Sequence, residues 1–218
     1  MGRNPRAKII GVSYAQELAN KFSREQRALM QSGWYQAAFP ETRLSPKKSG
    51  ETEFETTKGG FRLATSTGGV LTGRGADMII VDDPMKPQDA LSESMRNSAN
   101  GWLESTLMTR LDDKQRGQMV MIMQRLHEQD STGHLLEKGG WKHCNFPAIA
   151  QTDEIWQLSN GQIIKRKAGE LLHAEREPQT VLDTLQRDLG NMHFSAQYLQ
   201  MPLPLGGKPL RSLQQRRG

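Results

Sequence analysis

Cysteine is nearly absent from this 218-residue chain. Cys144 stands alone, which excludes an intramolecular disulfide framework and a Cys-only zinc site and suits a reducing cytosol. Long apolar runs are also missing. None approaches the roughly 20 residues that span a bilayer, and Met1 to Pro5 leads into no apolar stretch of a secretory signal. A membrane partner is therefore not expected. Strong charge imbalance is absent too. Lys and Arg number 29 against 24 Asp and Glu, a net +5, which permits a nucleic-acid partner without establishing one. Aromatics make up only 6%, and none is interleaved with the tail residues Arg211, Arg216 and Arg217 as a stacking platform requires.

Three chemical signatures are missing as well. No window matches GxxxxGK[ST]. Gly68 to Gly73 has the glycine spacing of a P-loop, but Arg74 and Gly75 stand where Lys and Ser or Thr are needed. A strand follows within a few residues, not the helix whose N-terminus would receive phosphate. Without such a loop a chain does not bind ATP in the usual way. His127, His134, His143 and Cys144 lack the spacing of a closed zinc site, and Cys144 sits in no nucleophile pattern.

The apolar residues that are present, 35% of the chain, are clustered, and the length allows one domain of ordinary size with a small appendage. Lys8 to Val12 reads as a buried strand. Ser13 and Gln16 have capping-box spacing, which predicts a helix to about Met30 with Leu18 and Phe22 on one face. Residues 40–60 read as a loop or edge hairpin, and Phe61 to Ser66 as a strand. Met78 to Val81 is a continuous apolar run, as in a central parallel strand. Ser92 to Leu111 predicts one helix, Met119 to Met123 a second buried strand, and Ser131 to Lys138 a short helix stopped by Gly139 and Gly140. Pro178 to Leu189 predicts a helix ending at Gly190. Strands alternating with helices predict an α/β fold. The composition changes near residue 147, and a flexible tail is expected from 202.

The densest chemistry follows the Met78 to Val81 strand. Asp82 and Asp83 close it, a Walker-B-like arrangement. A buried strand fixes the acids at the sheet's edge. There the first carboxylate can hold Mg²⁺, and the second can orient or deprotonate a water. Adjacent carboxylates repel, so a cation or basic neighbour is expected. Arg74, in the glycine-rich loop ahead of this strand, is free to meet phosphate or an acid. Gln124, Arg125 and His127 form a polar cluster after the Met119 to Met123 strand, where ligands of α/β folds gather. Gln124 suits sensing a phosphate or holding a water. Arg125 suits pairing with phosphate or with Asp83. Lys165 to Lys167 reads as a solvated basic face or a DNA contact.

Taken together these segments resemble the large terminase subunit of tailed bacteriophages, the motor that packages DNA. The resemblance spans roughly residues 4–207. It rests on Asn4 to Ala19, on Leu71 to Lys86 with its Asp-Asp-Pro ending, on Gln124 to Leu136, and on Gly169 to Leu172 with Phe194 to Gln200. It implies a RecA-like (P-loop NTPase-type) parallel sheet with flanking helices, here incomplete. Residues 1–146 would be a partial ATPase domain, 147–201 a linker toward a nuclease domain, and 202–218 a flexible tail. By position Asp82 would be the Mg²⁺-associated acid and Asp83 the catalytic acid. Gln124 and Arg125 would belong to the coupling element, and Arg74 would contact phosphate or a neighbouring subunit. The family implies Mg²⁺, ATP, double-stranded DNA, a small terminase subunit, the portal protein and a homo-oligomeric ring, in the cytoplasm of a bacterial host.

The departures from that pattern predict an internal fragment, without Walker A and nuclease segments, that neither binds cofactors well nor works alone. A sheet lacking its phosphate-loop strand is expected to leave an edge exposed. The competing reading is a non-enzymatic nucleic-acid-binding or assembly remnant. A metal hydrolase built on Asp82 and Asp83 is disfavoured, since two adjacent acids do not make a two-metal site.

Overall fold

A computed structural model describes residues 1–204. The chain forms two compact units, Met1–Met123 and a second beginning at Gln124, ahead of the composition change near 147. The tail beyond 204, with Arg211, Arg216 and Arg217, lies outside the described residues.

The first unit opens with strand β1, Lys8–Ser13, followed by helices α1, Gln16–Gln31, and α2, Gly33–Ala38. Strands β2, Leu44–Ser49, and β3, Glu53–Thr56, make the antiparallel hairpin expected near 40–60. Then come β4, Phe61–Ser66, β5, Met78–Asp82, helix α3, Glu93–Trp102, and β6, Gln118–Ile122. The sheet has six strands in the order β2-β3-β4-β1-β5-β6. Strands β4, β1, β5 and β6 run parallel, while β3 is antiparallel to β4. This is the α/β architecture the sequence predicts, consistent with a partial RecA-like sheet.

Alternation along the strands sorts side chains between two faces. On one face Ile10, Val12, Ile79 and Val81 are buried against Leu71, Leu103 and Leu107. Trp102, Met119 and Met121 pack at the margin of that core. Leu71 and Ala76 come from the glycine-rich connection between β4 and β5, so that loop is part of the core on this side.

On the opposite face α1 lies over β4 and β1. Its buried stripe is Ala19, Ser23 and Met30. Small Ala19 and Ser23 sit on the sheet, while Leu18 and Phe22 are only half-buried. Strands β5 and β6 have little helix above them here. Ile80 is half-buried, and Val120 and Ile122 are 41% and 54% exposed. The sequence read Met119 to Met123 as buried. An apolar run does not reveal that its strand is the sheet's edge, with one face uncovered.

Two further expectations are corrected. Ser13 is the buried last residue of β1, and α1 starts after Ala15 with no side-chain cap. Gln16 reaches Asn20 and the Ala64 carbonyl oxygen, so the predicted capping box does not form. The helix read from Ser92 to Leu111 is α3 capped by Ser92, then a π-helical turn at Leu103–Leu107 and a 3₁₀ turn at Met108–Arg110. The π turn sets both Leu103 and Leu107 into the core.

The second unit contains helix α4, Ser131–Lys138, the hairpin β7, Glu154–Gln157, with β8, Ile163–Arg166, and helix α5, Gln179–Gln197. Gly139, at φ 76°, closes α4 as expected. Gly190, at φ 77° and ψ 160°, breaks α5, and helical turns resume to Gln197. The β7–β8 hairpin was not legible in the sequence.

Candidate functional site

The carboxyl ends of β1, β4, β5 and β6 are tied together by backbone. Asp83 donates its N–H to the Ile122 carbonyl at 2.9 Å, and its own carbonyl accepts from Tyr14 N–H at 2.8 Å. Thr67 N–H donates to the Ser13 carbonyl, and Thr67 Oγ1 donates to the Pro84 carbonyl at 2.7 Å. Pro84 and Met85 are buried behind the acids.

Asp83 occupies the left-handed region at φ 48°. Aspartate tolerates that region better than most residues, and such conformations, worth about 1–3 kcal/mol of strain, collect at functional turns. Here the two backbone bonds over-determine it. Asp82, one residue earlier, is half-buried and accepts no hydrogen bond among the described residues. Burial therefore raises its carboxyl above the ordinary value.

Asp82 lines a cavity of about 150 Å³ with Gly11, Val12, Ser13, Ala19, Phe22, Arg62, Ile80 and Ile122. Nothing in the sequence marks Arg62, because Phe61 to Ser66 alternates only weakly and the residue belongs to no motif. Its β-register partner is Ile9, and the side chain crosses β1 at Gly11. Arg62 is only 8% exposed, and its Nη1 has no hydrogen-bond partner. Burial alone pulls the guanidinium down to about 10, so it remains charged at neutral pH. A cation and a carboxylate, neither compensated, thus line one small cavity.

Arg74 is placed on Glu53. The two form an ion pair, and the Arg74 guanidinium lies 5.7 Å from the centre of the Phe61 ring. The acidic neighbour anticipated for Arg74 is therefore on the β2–β3 hairpin. Gly75 faces Asp112, which also holds Lys8 at 2.9 Å.

Gln124 and Arg125 begin the second unit. Gln124 is exposed. Arg125 Nε donates to both Asp130 oxygens at 3.0 and 2.9 Å, with Arg125 largely and Asp130 wholly buried. The same carboxylate accepts from the N–H groups of Leu126, His127 and Gly133, capping α4. Arg125 is thus the pivot of a loop-and-helix junction. Arg166, in the basic run, is likewise structural: it pairs with Glu154 and donates to the Pro147 and Glu170 carbonyls, while Lys165 and Lys167 are exposed.

Among the described residues no three His, Cys, Asp or Glu side chains gather where they could hold a metal. Asp82 fits the more modest demand of Mg²⁺, which takes one or two carboxylates and completes its shell with water and phosphate. Its lack of hydrogen-bond donors leaves both oxygens for a cation. No protein-family model matches the chain, and no curated protein matches it.

Proposed function

We propose that this chain is the Walker-B-bearing part of a terminase large-subunit ATPase, inactive as an isolated ATPase. One observation carries the reading. Among the described residues the parallel sheet ends at β6, beside the acid-bearing strand, and the face carrying Val120 and Ile122 is exposed. A phosphate-cradling strand joined to a helix has the shape to complete both. The Asp82–Asp83 turn at the sheet's carboxyl end supports the same reading, since α/β ligands bind there.

In the complete motor Asp82 would hold Mg²⁺ against the phosphates of ATP, and Asp83 would orient the attacking water. The motor's other partners would be duplex DNA, the small terminase subunit and the portal protein, in the cytoplasm of a bacterial host. Arg74 would contact phosphate or a neighbouring subunit once released from Glu53. Gln124 would serve the coupling element, and Arg125 would shape it through Asp130.

The alternative, a nucleic-acid-binding or assembly remnant, is favoured by the second unit's hairpin. Lys165 and Lys167 are exposed there beside exposed Ile155, Ile163 and Ile164.

Two measurements test the proposal. Phosphate release from Mg-ATP by the 218-residue chain should not exceed that of Asp82→Ala; hydrolysis abolished by this substitution would refute inactivity. The DNA flanking the reading frame should encode GxxxxGK[ST] upstream. If it does not, the terminase reading fails, and salt-dependent DNA binding becomes the property to measure.

A further inference from the structure

We propose that the glycine-rich connection between β4 and β5, together with Arg110, binds the phosphate group of a small molecule. The segment is not a P-loop, and the Asp82–Asp83 turn leaves it without a role. The site uses neither of those acids nor Mg²⁺, so it is independent of the terminase reading.

A groove of about 440 Å³ is lined by Gly68 to Thr72 of this connection and by Trp102, Ser105, Thr106 and Arg110 of the helical turns. That volume is in the range of small-molecule sites. Hydrogen bonding along the connection is one-sided. Its carbonyls are used: Gly69 accepts from Trp102 Nε1 at 3.1 Å, and Leu71 accepts from Arg74 N–H at 3.2 Å and from Arg110 Nη1 at 3.3 Å. Gly69 N–H donates to the Ser66 carbonyl at 2.8 Å. Among the described residues the N–H groups of Val70, Leu71 and Thr72 donate to no protein acceptor. Leu71 is 1% exposed, and a buried N–H without an acceptor is rare. Successive backbone N–H groups of this kind suit an anion.

Arg110 supplies the charge, as the one charged side chain among the described residues of the lining. Its Nε and Nη2 donate to Thr109 Oγ1, and its Nη1 to the Leu71 carbonyl. A guanidinium has five N–H donors, so donors remain for a phosphate oxygen. With no acid in the lining, nothing there repels that oxygen. Gly68 holds the turn at φ 82°, and a Cβ at Gly69 would stand 2.8 Å from the Ser66 carbonyl oxygen. Both glycines therefore set the shape of the connection. Opposite them is the π-helical turn Leu103–Leu107, a form that recurs at functional sites. It buries Leu103 and Leu107 in the core, while Ser105 and Thr106 line the groove. The space beyond a phosphate ion is bounded by half-buried Trp102, which suits an organic group on the ligand.

The probes are inorganic phosphate, AMP, adenosine and a short DNA duplex, each added to the whole 218-residue chain at an ionic strength fixed with chloride. In ¹H–¹⁵N spectra, phosphate and AMP should shift the Val70, Leu71 and Thr72 amides saturably. AMP should also move the Trp102 indole N–H, and adenosine, which lacks the phosphate, should move neither. Arg110→Gln should weaken AMP binding at least about tenfold, the loss expected for a charge-assisted hydrogen bond. Because that substitution also removes the bond to the Leu71 carbonyl, Arg110→Lys serves as the second variant. It keeps the charge and should retain part of the affinity, with the Leu103 and Leu107 amides unmoved. Shifts that do not saturate, that fall equally on the exposed Lys165 and Lys167, or that are unchanged in Arg110→Gln would each overturn the site. A response to the duplex alone would overturn a small-molecule ligand. Neither ATP hydrolysis nor flanking DNA enters these readouts, so this site and the terminase reading fail separately.

Discussion

The Arg62 guanidinium lies across Gly11. A Cβ at that glycine would approach Nη2 to 2.7 Å and Cζ to 3.2 Å. Arg62 and Gly11 belong to neighbouring parallel strands, with Ile9 as the register partner of Arg62. The long side chain therefore leans along the sheet into the space that glycine leaves. Among the described residues its Nη1 has no hydrogen-bond partner, and burial lowers the pKa of the guanidinium.

Removing the charge should stabilise the isolated chain. Arg62→Met roughly keeps the volume and deletes the buried Nη1 donor that has no partner, worth about 1–3 kcal/mol. Urea unfolding should show a higher midpoint with unchanged slope. A lower midpoint would mean that the guanidinium is already satisfied.

Gly11→Ala should destabilise by about 1–3 kcal/mol, the range for overpacking. The crowded atoms belong to the end of a flexible side chain, so the lower part of that range is expected. In an Arg62→Met background the same substitution should cost clearly less. The coupling from a double-mutant cycle measures the contact directly.

Asp82 makes stability depend on pH. Its folded-state carboxyl value is raised by burial, so the folded chain holds the proton more tightly than the unfolded one. The favourable contribution is complete below the unfolded value, about 3.9, and is lost as pH rises through the raised folded value. Asp82→Asn should therefore melt higher than wild type at pH 7, and the two curves should converge in acid. Parallel curves over that range would exclude a raised value. Added Mg²⁺ should narrow the neutral-pH gap if Asp82 takes the cation.

Asp130 caps α4, holds Arg125, and accepts from three backbone N–H groups. Asp130→Ala leaves a buried guanidinium unpaired, and about 3–5 kcal/mol should be lost. Hydrogen exchange should show that loss in the amides of Leu126 to Leu135. Arg125→Met should cost less, because the backbone donors still serve the carboxylate.

The uncovered edge should also govern solubility. Ile122→Thr, on the exposed face of β6, removes apolar surface without touching the opposite core. It should raise the concentration at which the chain begins to self-associate, as read by light scattering. The matched substitution Val81→Thr lies in the core and should instead lower the melting temperature.

The sequence by itself determined the α/β class. Short apolar runs at Lys8 to Val12 and Met78 to Val81, bounded by polar turns, have few ways to be buried other than as strands of a covered sheet. It also determined the acidic turn, because Asp82 and Asp83 are contiguous and need no tertiary fold to meet. The helix at Ser131 and its stop at Gly139 were local in the same sense. What only the tertiary structure decided is which groups lack neighbours. Met119 to Met123 has the pattern of a buried strand, yet it is an edge, because pairing depends on strand order and not on its own residues. Ser13 and Gln16 have capping spacing, but the β1 ladder claims Ser13. Arg74 finds Glu53, and Arg125 finds Asp130. Arg62, in a strand with weak alternation, becomes the buried cation of the cavity because Gly11 of the adjoining strand makes room. Contiguous chemistry is written along the chain, whereas pairing, exposure and uncompensated charge are properties of what the fold brings together.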